Sequence, residues 1–197
     1  MNKEELKNAE SGVSGGCMNT ISGILLDPVN VTADDIRLYD IAHPLSYICR
    51  GTGQVKFFFS VAQHCLNCAY EARARGYSDR VVLAALLHDG SEAYMSDVIR
   101  PIKVHIDAFY EIESRFVSAI YEHFGLGDLS EDELAKVTEI DDDMLWNEAK
   151  ALFSRADDIE PPELSCNVRI EERPFAEIEK EYTALANELA EKVLITD

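Results

Sequence analysis

Residues 81–89 read VVLAALLHD: seven apolar residues run into an imidazole and a carboxylate. Ser78 and Asp79 precede the run as N-cap and first-turn residues. A helix that is apolar on every side has no face left for solvent, so this stretch is read as a central, fully buried helix. Its polar end is the pair His88-Asp89. An ionised carboxylate at the end of a buried helix is costly unless it meets a cation or hydrogen-bond donors.

The segments on either side supply amphipathic helices to cover it. Upstream, Phe58, Val61, Ala62, Cys65, Ala69 and Ala72 recur at three- and four-residue spacing and put His64 on a helix. Thr32, Asp34 and Asp35 start a short helix near 33–48. Downstream, the apolar positions from Ile106 through Phe116 and Ile120 to Phe124 define a long helix that stops at Gly125 and Gly127. Ser130 opens the next one, with Glu133 completing a capping box. Residues 154–172, with Pro161-Pro162, read as a long loop, and a last helix follows near 173–193. No stretch alternates with period two. The fold expected is all-α, a single-domain bundle of about six or seven helices over 17–197 behind a flexible tail at 1–16.

The helix after Ser130 carries an informative register. Its stripe is Leu134, Val137, Ile140, Met144, Leu145 and Leu152, and at about 100° per residue its centre falls on Asp141 and Glu148. Asp143 falls on the opposite face. Acids in the middle of a core face need a cation or a hydrogen-bond partner, so the register chooses Asp141 from the run 141–143. His64, His88, Asp89 and Asp141 thus lie on or beside core-facing stripes, and imidazole with carboxylate is a donor set for a divalent transition ion.

The same four residues sit in longer blocks: DIAHPLSYICRGTGQ (40–54), FFFSVAQHCLNCA (57–69), ALLHDGSEAYMSDVIRPIK (85–103) and EIDDDMLWNEAKAL (139–152). Together these resemble the HD-domain metal-dependent phosphohydrolases, in the branch of bacterial and phage deoxynucleoside 5′-monophosphatases and small dNTP phosphohydrolases. The resemblance covers about 17–193. It implies an HD-type helical bundle in which His64, His88, Asp89 and Asp141 hold one divalent ion (manganese, cobalt, iron, magnesium or zinc). It implies proton transfer or water positioning by Glu92, and a sugar and water contact by Asp97. Arg50 matches a phosphate or base-side contact. The family's Arg-Phe-x-Gly reads Arg50-Gly51-Thr52-Gly53 here, so the missing aromatic either opens the pocket or removes a stacking platform for the base, which bears on the substrate more than on the ion. A homodimer or higher oligomer is implied by the resemblance alone.

The chemistry expected is hydrolysis of small (deoxy)nucleotide 5′-monophosphates by a metal-bound hydroxide. Triphosphohydrolysis of dNTPs is the alternative within the class, and a non-catalytic nucleotide-binding or interaction protein on this scaffold the alternative outside it. Phosphoryl transfer needs cations near the ion, and Arg100, Lys103 and Lys56 are placed to supply them. The chain balances 18 basic against 37 acidic residues, a net charge of −19. Such a surface repels nucleic-acid polymers and anionic membranes, which leaves a small phosphorylated partner. No apolar run has the length of a membrane span, the first twenty residues hold no signal-peptide core, and the five cysteines are odd in number. They read as reduced thiols in a cytoplasmic protein. Cys65-x-x-Cys68 lacks the second pair of a structural zinc site; Cys65 packs in the core and Cys68 forms a small neutral wall near the ion. His43, His105 and His123 do not make a second metal set.

Overall fold

A computed structural model describes residues 16–196. The run 81–87 forms helix α3, Asp79–Leu87, capped by Ser78, whose hydroxyl accepts from the Val81 amide. Every residue from Val81 to Leu87 is at most 1% exposed, as expected of a helix apolar all round. Around it pack α2 (Val61–Ala74), α6 (Phe109–His123), α7 (Glu131–Leu152) and α8 (Phe175–Thr196). Helix α1 (Leu38–Tyr47) closes the bundle against α2 and α8. Two one-turn helices, α4 (Glu92–Met95) and α5 (Arg100–Lys103), follow α3. One hydrophobic core runs from Ile36 to Val193 and draws on each of the longer helices. The protein is an all-α bundle.

Capping fixes the registers that matter for the site. Ser60 and Gln63 form a capping box at the start of α2, and Ser130 and Glu133 do the same for α7. With the first turns fixed, His64 and Asp141 fall on the faces turned toward α3.

The structure differs from the sequence reading at the element ends. The helix expected near 33–48 is broken. Ala33–Asp35 makes one 3-10 turn closed by the Thr32–Asp35 box, and Ile36 and Arg37 are extended before α1 begins. That extension carries Ile36 into the core, fully buried, a tertiary gain that outweighs helical continuity. The helix expected from Ile106 starts at Phe109, because Pro101 opens the separate turn α5 and a tight turn follows it. Met18–Asn19 and Leu25–Leu26 pair as a two-residue antiparallel hairpin, β1 and β2, too short for any alternation to be visible. It is held by the buried Asp40, whose carboxylate accepts from the Ser22 amide at 2.8 Å and the Ser22 hydroxyl at 2.7 Å. The tail expected at 1–16 lies, except for Gly16, outside the described residues.

Candidate metal centre

His64 stands in the first turn of α2, wholly buried. His88 is the C-cap of α3. Its Nδ1 lies 2.8 Å from the Ala85 carbonyl, which can only accept, so that nitrogen carries a proton and Nε2 is free to face inward. The two Nε2 atoms approach to 3.3 Å. Asp141 Oδ1 lies 3.0 Å from Nε2 of His64 and 3.6 Å from Nε2 of His88. Asp89 closes the other side, with Oδ1 3.3 Å from His88 Nε2 and Oδ2 3.6 Å from His64 Nε2. Donors held about 2.0–2.2 Å from one ion stand roughly 3–3.5 Å from each other. Two imidazole nitrogens and two carboxylates at these separations fit a first-row divalent ion.

Helix α3 ends where this cluster begins, which frees Asp89 from the 100° divergence of adjacent helical residues. Asp141 meets the imidazoles, while Asp143, two residues on, turns away to Arg75 at 2.7 Å.

Cys68 comes closer than a neutral wall. Its Sγ is 3.6 Å from His64 Nε2, and its sulfur, the His64 and His88 nitrogens and an Asp141 oxygen all lie within 4.8 Å of one another. All five cysteines are free.

Charge is distributed unevenly across the cluster. Burial pushes Asp141 up, but its hydrogen bonds to His64 and His88 outweigh this and hold it well below the usual carboxylate range. Asp89 behaves alike: burial raises it, and His88 and Arg50 hold it down. Burial opposes the charged form of His88, yet Asp89 and Asp141 raise its affinity for a proton well above that of a free imidazole. Glu92 goes the other way. Burial first, then the neighbouring Asp89 and Asp97 charges, push it up to about 10, and its Oε2 is buried without a hydrogen-bond partner. Two carboxyls three residues apart are thus driven to opposite protonation states, the pattern that separates an acid from an anion in one site.

A cavity of about 640 Å³ opens beside the cluster. Its lining includes the polar Arg50, Asp89, Glu92, Asp97, Asp141 and Glu148 and the largely apolar Val55, Ile99, Val104, Tyr110, Leu145 and Phe153. Arg50 reaches Asp89 Oδ2 at 3.3 Å and Glu148 Oε2 at 3.5 Å. Asp97 is buried and accepts from the Gly51 amide at 2.7 Å, so it pins the Arg50–Gly53 turn. Gly51 has φ +59° and Thr52 φ +54°, a left-handed pair in which glycine relieves one of the two strained positions. A Cβ on Gly51 would meet Phe153 Cε1 at 3.6 Å. The aromatic ring at this corner of the cavity is therefore that of Phe153, at the end of α7.

The other expected cations stand farther from the centre. Arg100 lines the cavity but is 76% exposed, 4.0 Å from Asp142. Lys103 lines it too, with its ammonium held by Glu113 at 2.6 Å. Lys56 donates to the Ala151 carbonyl at the end of α7. His43 pairs with Glu179, and His123 Nδ1 reaches the Ala33 carbonyl.

The sequence reading placed Glu148 on the core-facing stripe but named no partner for it. It is 2% exposed, with Oε1 2.9 Å from His64 Nδ1. Its signal was the stripe that singled out Asp141, seven residues and about two turns earlier.

No family model matches the chain. It is similar to an uncharacterized protein of Rhodobacter capsulatus, 40% identical over 111 residues, which is 54% of this chain and 57% of that protein. It is also similar to the uncharacterized protein YfdR of Escherichia coli, 34% identical over 109 residues, 55% of this chain and 58% of that one. The chain therefore spans somewhat more than half the length of the curated relatives it matches. Among the described residues no helix is long and apolar enough to cross a membrane.

Proposed function

We propose that this chain is an HD-type, metal-dependent phosphohydrolase that acts in the cytoplasm on small (deoxy)nucleotides, with 5′-monophosphates as substrates. One observation carries the reading: His64, His88, Asp89 and Asp141 converge from three helices at the wall of a cavity that also holds Arg50 and the buried carboxyl of Glu92. His64, His88, Asp89 and Asp141 would hold the ion, with Cys68 beside them. When bound, a divalent ion supplies Lewis-acid activation of water and of a phosphoryl oxygen.

The remaining steps belong to the chain. Arg50 offers a guanidinium to the phosphoryl oxygens and is steadied by Asp89 and Glu148. Asp97 fixes the turn that carries Arg50. Glu92 lies in the lining of the same cavity, and burial and the Asp89 charge favour its protonated form in the ion-free protein; it is placed to give a proton to the ester oxygen of the departing alcohol, which becomes the nucleoside hydroxyl. The apolar part of the cavity shelters the organic portion of the substrate from water. Without the ion this wall carries five acids, Asp89, Glu92, Asp97, Asp141 and Glu148, so a phosphate dianion is favoured only once a divalent charge offsets them.

The test is product analysis with dNMPs, NMPs and dNTPs in manganese or cobalt, with Asp89→Ala as control. Orthophosphate from monophosphates, lost in the variant, is the expected result. Tripolyphosphate from a dNTP would replace the monophosphatase by a triphosphohydrolase. Bound ion with no product from any substrate would overturn the enzymatic reading.

A further inference from the structure

We propose that Glu148 is a positioning residue that fixes the proton of His64 and ties that ring to Arg50. The ring of His64 is gripped by two carboxylates of one helix: Asp141 Oδ1 stands 3.0 Å from Nε2, and Glu148 Oε1 stands 2.9 Å from Nδ1. A seven-residue spacing on α7 returns to nearly the same face, which lets one helix address both nitrogens. The two grips differ in character. Asp141 keeps 31% of its side chain exposed and lines the cavity, where a bound ion would stand between it and Nε2. Glu148 keeps 3%, and its Oε1 has the proton of Nδ1 as its partner. A carboxylate so buried is costly without a donor, so Glu148 holds the proton on Nδ1 and leaves the Nε2 lone pair aimed at Asp141 and His88. Its second oxygen, Oε2, faces Arg50 Nε at 3.5 Å. One buried carboxylate therefore sets the orientation of a ring that would hold the ion and of the guanidinium that would hold the anion.

The role toward the ion rests on the metal reading above; the control of the ring proton does not. Two variants separate the cases. Glu148→Gln keeps an oxygen that accepts from Nδ1, whereas Glu148→Ala removes it. Nitrogen-15 NMR of labelled histidine in the ion-free protein reports which nitrogen carries the proton in the neutral ring. Titration with manganese or cobalt reports affinity without recourse to turnover. In the wild type Nδ1 is expected to carry the proton. In Glu148→Ala a large fraction moves to Nε2 and ion affinity falls about 10- to 100-fold, the usual effect of losing a ligand's hydrogen-bond partner. Glu148→Gln is expected to keep the wild-type proton position and lose less than tenfold, which also covers the case of an alanine variant that fails to fold. An unchanged proton position in Glu148→Ala overturns the proposal. A wild type that takes up no ion while its ring proton still follows Glu148 overturns the metal reading and leaves the control of the ring standing.

Discussion

Helices α2 and α7 are joined by two buried polar clusters, and the two are built on opposite plans. Toward the C-terminal end of α2, Glu71 is fully buried, yet every demand on it is met. It accepts from Arg75 Nε at 2.7 Å and from the Ser165 and Cys166 amides at 2.9 and 3.0 Å. Arg75 in turn reaches Asp143 at 2.7 Å and Glu139 at 3.1 Å. A permanent cation sits at the centre of that cluster and the loop beyond α7 is pinned to it. Two turns earlier on α2, His64 meets His88, Asp89, Asp141 and Glu148. There the centre is two imidazoles, and the one permanent cation, Arg50, stands to the side. The difference teaches where a mobile cation belongs. Where the chain provides its own positive charge the cluster is closed and structural. Where acids and imidazoles gather beside a cavity, with Arg50 only at their edge, the cluster is open.

The largest expected effects break the open cluster. Asp141→Ala and Asp89→Ala should each weaken binding of manganese or cobalt by at least about a hundredfold and abolish phosphate release. Elemental analysis after dialysis and a phosphate assay read both. Asp141→Ala with full ion content would exclude Asp141 as a ligand.

The closed cluster should fail differently. Arg75→Ala takes one donor from Glu71, which keeps the Ser165 and Cys166 amides, and leaves the partly exposed Asp143 to water; loss of hydrogen bonds between charged groups of this kind costs about 1.5–3 kcal/mol. Urea unfolding should register that loss, while the ion affinity of the remaining folded protein stays within about twofold of wild type. A drop in ion affinity as large as that of Asp141→Ala would mean that the two clusters are one unit.

A third expectation sharpens the contrast through pH. Glu92 ionises near pH 4.5 in an unfolded chain but only near pH 10 in the folded one. Between those values the folded state binds the extra proton, so this group makes stability fall as pH rises, by up to about 1.4 kcal/mol per unit. Glu92→Gln removes that slope. In the ion-free protein the variant should be the more stable at pH 8, and its advantage should shrink toward pH 5. Parallel stability curves for wild type and variant would show that Glu92 ionises normally.

How far the sequence carried this picture depends on whether a feature is local or tertiary. The all-apolar run 81–87 announced the central helix, and 100° arithmetic separated Asp141 from Asp143, because both follow from one helix and one core. The same arithmetic marked Glu148, but its meaning required knowing which ring lay opposite. The break at Ile36 was invisible, since burial against other elements set it rather than propensity. Lys103 looked like a free cation because its partner Glu113 lies on another helix. Nothing local marks Glu71 as buried, because two of its donors, the Ser165 and Cys166 amides, come from a loop more than ninety positions away.

The smallest expected effect bears most directly on the plan of the two clusters. Asp143→Asn keeps the size of the side chain and the register of α7 and removes one charge. Arg75 still has Glu71 and Glu139, and Asp143 is a quarter exposed, so the cost should be near 1 kcal/mol. The change lies two residues from Asp141 on the same helix. If the open cluster owes its ion affinity to the acids that face the imidazoles, titration with manganese should give wild-type affinity in this variant. If instead the general acidity of α7 attracts the ion, affinity should fall in Asp143→Asn nearly as it does in Asp141→Asn, and the distinction between a built site and an acidic surface would be lost.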